Sequence, residues 1–125
     1  MGFPSRQRLR TGREFDAAFK RGVRVEGRLF LLVAAPNGRP FDRLGLAVSR
    51  RVGGSVERNR VRRLLRESFR RLERPGGPGV DLVVVARAAL VGLGQAEVDR
   101  EFRERVRRIE RAAGMAGGAA PPPLR

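Results

Sequence analysis

The chain has 125 residues, and its 28 Lys and Arg against 13 Asp and Glu give a formal net charge of +15. That is one domain's worth of chain, long enough to bury a core without staples. With no His and no Cys, it cannot form disulfides, thiolate or imidazole zinc sites, cysteine nucleophiles or histidine bases.

The first ten residues are basic and irregular, which predicts a flexible start. Thr11-Gly12-Arg13-Glu14 has capping-box spacing, with Thr11 as N-cap and Glu14 reaching back. A helix over 12–21 follows, with Phe15, Ala18 and Phe19 on one face and Gly22 as its stop. Val23 to Ala35 reads as a short strand and a longer one, broken at Gly27. Pro36-Asn37-Gly38 is a turn, Leu44 to Ser49 a further strand, and Arg50 to Gly54 a loop. The helix over 56–73 is the best-defined element, because Val61, Leu64, Leu65, Phe69 and Leu72 keep helical spacing. Ser55 is its predicted N-cap, and Glu57 lies in its first turn. Pro75 to Gly79 forms a turn. Val80 to Ala86 is almost continuously apolar, as in a strand buried on both faces. A last helix over 95–111 carries the stripe Val98, Phe102, Val106 and Ile109, with Glu101/Arg105 and Glu104/Arg108 as i,i+4 pairs. The order predicts an α+β sandwich, one small mixed sheet with helices packed on it. Residues 1–111 form a single domain, and the low-complexity tail 112–125 reads as disordered.

Lys20 is the only lysine, so every other cation is arginine. A charge this large predicts a polyanionic partner. Between Arg43 and Arg74 the only acids are Glu57, Glu67 and Glu73. Arg58, Arg62, Arg66 and Arg70 form one i+4 row on the long helix, flanked by Arg63. Guanidinium groups bind phosphate bidentately, so such a ridge suits a nucleic-acid backbone better than a solvated face would require. Asn59 is a poor helix former. It either helps cap the first turn or hydrogen-bonds a sugar, phosphate or base edge. Gly53-Gly54 would let backbone N–H groups approach a phosphate, a weak signal by itself. No stretch is apolar enough to span a bilayer, and the N-terminus lacks the apolar core of a secretory signal. With no Cys, these features predict a cytoplasmic location.

The segment Ser49-Arg50-Arg51-Val52-Gly53-Gly54-Ser55-Val56-Glu57-Arg58-Asn59-Arg60-Val61-Arg62-Arg63-Leu64-Leu65-Arg66 resembles the RNR signature of the bacterial ribonuclease P protein family. Arg8-Leu9, Glu14-Phe15, Phe19 and Gly22 resemble the family's first helix and its flanks. Arg28-Leu29-Phe30, Arg43 to Ser49 and Asp81 to Arg87 resemble its strands. The resemblance spans about residues 6–111. It implies an α-β-β-β-α-β-α fold with a left-handed crossover through the RNR helix, against the usual handedness rule.

The resemblance also implies that the catalyst is a partner RNA, which uses Mg²⁺ to cut the 5′ leader from precursor tRNA. The protein would bind that RNA and the leader, would supply no metal ligand and would not be catalytic alone. By matching position, Arg50, Arg51, Arg58, Asn59, Arg60, Arg62, Arg63 and Arg66 become contacts to the catalytic RNA. Phe15, Phe19, Leu31 and Val33 become the lining of a leader cleft. Two Phe one helical turn apart suit single-stranded nucleotides, although packing of the helix on the sheet would use the same rings. Many family members carry an aromatic where this chain has Val33. A general RNA-binding or ribosomal-type structural protein is the alternative reading. A DNA-binding helix-turn-helix fits poorly, because no first helix precedes Gly53-Gly54. A protein-only nuclease lacks both a histidine and an acidic cluster.

Overall fold

The computed structural model describes residues 7–9, 11–72 and 79–113. Helix α1 (Gly12–Arg21) opens on the predicted capping box. Thr11 Oγ1 accepts from the Glu14 N–H at 3.1 Å, and Glu14 Oε1 accepts from the Thr11 N–H at 3.2 Å. Strands β1 (Val23–Val25) and β2 (Phe30–Pro36) flank the break that Gly27 signalled. A turn with Gly38 at φ 69° leads to β3 (Arg43–Ala47), which stops two residues short of the expected Ser49. Helix α2 (Ser55–Arg71), strand β4 (Val80–Ala86), a 3₁₀ turn (Ala88–Leu90) and helix α3 (Gln95–Ala113) complete the chain.

The sheet order is β1-β2-β4-β3. β2 pairs antiparallel with both β1 and β4, while β3 and β4 are parallel neighbours joined through α2. The helix–strand order and mixed sheet are those the sequence predicts. Strand periodicity divides the core in two. Val80, Leu82, Val84 and Ala86 face α2 and α3 and join their apolar stripes, including Val61, Leu65, Val98, Phe102 and Ile109. Phe30 and Phe102 meet there with ring centroids 5.9 Å apart. On the other face Val33, Ala35 and Val83 pack with Ala18 of α1 and with Leu9.

Three expectations change. Ser55 does not cap α2: the cap is Gly54, in extended backbone, and no side chain bonds the helix end. The helix starts one residue earlier than its apolar stripe indicates, so Ser55 is already inside it. Residues 7–9 are not a loose start. Leu9 is buried, its N–H donates to Leu44 O at 2.9 Å, and Arg8 forms a parallel bridge with Leu44. Finally, α3 continues to Ala113, two residues past its predicted end. Of the flexible start, residues 1–6 and 10 lie outside the described residues, as do most of the Pro75–Gly79 turn and the tail from residue 114.

The two helices on the larger core are also joined by polar groups. Ser68 Oγ and Gln95 Nε2 donate to Asp99 Oδ1 at 2.6 and 2.8 Å, and Arg71 donates to Asp99 Oδ2 at 2.7 Å. Burial works to raise the Asp99 carboxyl pKa. The hydrogen bonds from Ser68, Gln95 and Arg71, with the charge of Arg71, outweigh it and hold Asp99 below the ordinary carboxylate value. A depressed folded-state pKa contributes stability above the unfolded carboxylate value, which is lost as pH falls through the folded one. Asp99→Asn should therefore flatten the loss of stability on acidification below about pH 4, measured by urea unfolding across pH. An unchanged pH profile would remove Asp99 from the α2–α3 contact energy.

Candidate nucleic-acid interface

The arginines of α2 do not form one ridge. Their side chains divide between two sides and one neutralised end. On the side toward β3, Arg62 and Arg66 line a cavity of about 110 Å³ with Arg8, Leu9, Leu44 and Leu46. Arg62 is held by Asn59, whose Oδ1 accepts from its guanidinium at 3.0 Å. The amide that looked out of place in a helix thus aims an arginine. Arg58 donates through Nε to Gly53 O at 3.2 Å, which ties the helix to its entry loop.

On the side toward α3, Arg60 and Arg63 line a larger cavity of about 330 Å³ with Leu64, Glu67 and Gln95. Arg60 donates to Leu93 O at 2.7 Å. At the C-terminal end, Arg70 is paired with Glu67, and Arg71 bonds both Glu67 at 2.9 Å and Asp99. The predicted row of four thus stops at Arg66, because i+3 and i+4 neighbours capture the last turn. Arg50 and Arg51 are exposed in the turn after β3. That turn is anchored by buried Val52 and by the bond from its N–H to Ser49 O at 3.0 Å.

The two glycines before α2 do not offer an open anion site. A methyl group on Gly53 or Gly54 would meet Glu57 atoms at 3.0 Å. A carboxylate thus already lies against this helix end, where a phosphate would be repelled.

The second surface lies across the sheet, on the α1 face. Phe15 and Phe19 are half-buried and pack with Leu31 and Val85 at the edge of the smaller core. Val33 is 0% exposed. It lies covered beneath α1, so the expectation that Val33 lines an open cleft is corrected. The open part of the floor is instead Leu31 with its register partner Val85, and beyond it Ala47. Arg24 stands 5.5 Å from the centroid of the Phe19 ring and donates to Phe19 O at 3.3 Å. It brings a guanidinium to the rim of an apolar cleft. Arg8, Arg24, Val85 and Ala47 were absent from the sequence-based site. Strand register identifies the last two, but nothing local in the sequence signals the first two.

The described residues hold no cluster of three or more His, Cys, Asp or Glu fit for a metal ion. Glu14 and Asp81 instead bond Arg43, as Glu67 and Asp99 bond Arg70 and Arg71. Carboxylates so engaged suit a divalent cation poorly. No described helix is long and apolar enough to cross a membrane.

The Ribonuclease P family model matches residues 3–110. The ribonuclease P protein component of Shouchella clausii is 39% identical over 112 residues, covering 89% of this chain and 92% of the relative. That of Chromohalobacter salexigens is 37% identical over 123 residues, covering 97% and 95%. The RNase P protein from Thermotoga maritima superposes with a TM-score of 0.63 at 33% identity, covering 83% of this chain and 96% of that one. The Staphylococcus aureus RNase P protein shares the fold, with a TM-score of 0.72 at 24% identity, covering 82% and 94%. Matched along almost its whole length in sequence and in fold, the chain belongs to the ribonuclease P protein family and is the protein component of that ribonucleoprotein endoribonuclease.

Proposed function

We propose that this subunit works by holding two RNAs on two faces of one small sheet. The N-terminal two-thirds of α2, with Arg58, Arg60, Arg62, Arg63 and Arg66, meets the catalytic RNA. Arg50 and Arg51 extend that contact through the preceding turn. The cleft between α1 and the sheet holds the 5′ leader of precursor tRNA against Phe15, Phe19, Leu31 and Val85. Val33 supports that cleft from below. Mg²⁺ is held by the RNA; on the protein Glu14, Asp81, Glu67 and Asp99 already serve arginines. The protein's part is electrostatic and positional: it neutralises backbone charge and orients a flexible single strand.

The observation that carries this reading is the separation of the two surfaces. Basic side chains collect at the β3 side of α2, around a cavity that no carboxylate lines among the described residues. Half-buried rings and an apolar floor collect on the α1 face. A protein that gripped a single RNA would need only one of them.

Reconstitution tests the whole reading. The full chain is mixed with a bacterial ribonuclease P RNA, and 5′ cleavage of precursor tRNA is assayed at low Mg²⁺, where the RNA alone is expected to be slow. Stimulation should be clear. It should be lost in an Arg58→Ala/Arg62→Ala/Arg66→Ala variant that retains its circular dichroism spectrum. Tight RNA binding without stimulation would leave a general RNA-binding protein.

Two variants test the faces separately. Arg62→Ala or Arg66→Ala should reduce the salt dependence of catalytic-RNA binding by about 0.7–0.9 in log–log slope for each phosphate no longer neutralised. An unchanged slope in both variants would take α2 out of the interface. Phe15→Ala, in a preparation shown to be folded, should weaken holoenzyme binding of precursor tRNA more than that of mature tRNA. Equal losses would make Phe15 a core residue only.

A further inference from the structure

Helix α1 crosses the sheet, and its path gives the cleft beside it two ends. Phe15 stands over β3, where a Cβ on Gly45 would lie 2.8 Å from its Cζ. Gly22, just past the last turn, stands over β2, where a Cβ would meet Val33 Cγ1 at 2.5 Å. The floor is the register row Ala47, Val85 and Leu31, which runs from β3 through β4 to β2. Beyond it the sheet ends at the edge strand β1. Arg24 belongs to the α1 face of that strand. It pairs with Val33, which lies under α1, while its neighbour Val25 turns into the larger core.

Two contacts to one residue hold Arg24 at this end. Its guanidinium carbon stands 5.5 Å from the centroid of the Phe19 ring, and one N–H donates to Phe19 O at 3.3 Å. Phe19 lies in the last turn of α1, where carbonyls have no partner further along the helix. A guanidinium carries five N–H donors, so most of the fork is left over. Glu26, two residues on, bonds Arg87 instead. Among the described residues no carboxylate is a partner of Arg24, and the residue is exposed. An oriented guanidinium beside an aromatic ring matches a single-stranded nucleotide, whose base takes the apolar surface and whose phosphate takes the fork.

We propose that Arg24 binds a phosphate of the precursor's 5′ leader, at the end of the cleft farthest from the catalytic RNA. This contact rests on the reading that the leader lies against Phe15, Phe19, Leu31 and Val85, and it adds a charged anchor and an order along the strand. The β3 edge adjoins the basic side of α2, so the leader enters there, reaches Phe15 first and Arg24 last. From β3 to β1 is three strand spacings, about 14 Å. Only a leader long enough to cross the sheet meets Arg24, which makes leader length a determinant of affinity.

The holoenzyme, reconstituted from the full chain and a bacterial ribonuclease P RNA, is titrated with mature tRNA and with precursors whose leaders are shortened one nucleotide at a time from the 5′ end. Arg24→Ala and Phe15→Ala are compared with the unmodified chain, each with an unchanged circular dichroism spectrum. On a long leader Arg24→Ala should weaken binding about tenfold, the loss of one charge-assisted contact, and it should leave mature tRNA unaffected. As the leader shortens, the Arg24 penalty should vanish before the Phe15 penalty does. Single methylphosphonates, which remove the charge of one linkage, are then placed along the long leader. One of them should weaken binding to the unmodified chain by a similar factor and to Arg24→Ala by little. No selective loss on the long leader, or an Arg24 penalty that outlasts that of Phe15, would overturn the contact. So would equal methylphosphonate effects in both proteins at every linkage, which would leave Arg24 a prop for the Phe19 ring. A Phe15→Ala variant that weakens precursor and mature tRNA equally sinks the cleft reading by itself. The methylphosphonate comparison reads Arg24 directly, so the two failures are told apart.

Discussion

Arg43 ties helix α1 to two paired strands of the sheet. It leaves β3, donates to both oxygens of Asp81 on β4 at 2.8 Å each, and donates to Glu14 of α1 at 3.1 Å. Its side chain and that of Asp81 are each 11% exposed. The hydrogen bond to Asp81 does most to hold the guanidinium pKa above its ordinary value; burial opposes the shift, and the charges of Asp81 and Glu14 add to it. Asn37 donates to Asp81 Oδ1 at 2.9 Å as well, so the buried carboxylate is well satisfied. Apolar packing has no direction, and Ala18 alone would let α1 slide over Val33, Ala35 and Val83. A planar fork on a carboxylate does have direction. Glu14 carries that direction into the helix, since its other oxygen closes the cap on Thr11. Phe15 and Phe19 therefore stand at a fixed height above the sheet.

The same logic governs the rest of the charge. A chain at +15 folds against its own repulsion, and its few acids are not spread evenly over the cations. Among the described residues, Glu14, Asp81, Glu67, Asp99, Glu26 and Glu101 pair with Arg43, Arg70, Arg71, Arg87 and Arg105. Those arginines pin helix to sheet, helix to helix, or one turn to the next. The cavity between α2 and β3 is lined by Arg8, Arg62 and Arg66, and among the described residues no carboxylate lines it. Charges are thus paired where one element is pinned to another.

What the sequence made legible was whatever depends on neighbours within a few residues. The Thr11–Glu14 cap, the apolar run of β4 and the stripe Val98, Phe102, Val106 and Ile109 all appear as read. The i,i+4 pair Glu101–Arg105 closes at 2.7 Å. Misreadings arise where other contacts decide. Helical spacing put Arg58, Arg62, Arg66 and Arg70 in one row, but three of them took nearby partners: the Gly53 carbonyl, Asn59 and Glu67. Strand alternation put Leu31 and Val33 on one face, and that is where they lie. Only the placement of α1 decides that Val33 is covered and Leu31 is not. The docking of Leu9 is a single bridge with no periodicity to read, and the Arg24–Phe19 contact joins two elements by a side chain that could have pointed anywhere.

Gly45 brings the two surfaces to one point. A Cβ there would lie 2.8 Å from Phe15 Cζ and 2.9 Å from Leu9 Cδ1. The ring that walls the cleft and the leucine that seats the Arg8 segment therefore occupy the same spot on the sheet, one from each side. Interiors packed at crystal density transmit a displacement of one methylene to its neighbours. A shift of Leu9 on β3 must be met by Phe15, and a strand pressing on Phe15 must be met by Leu9. The basic side of α2 and the apolar cleft are thus not independent patches that happen to share a small protein. They are separated by one position without a side chain, and a larger residue there would have to evict one of them.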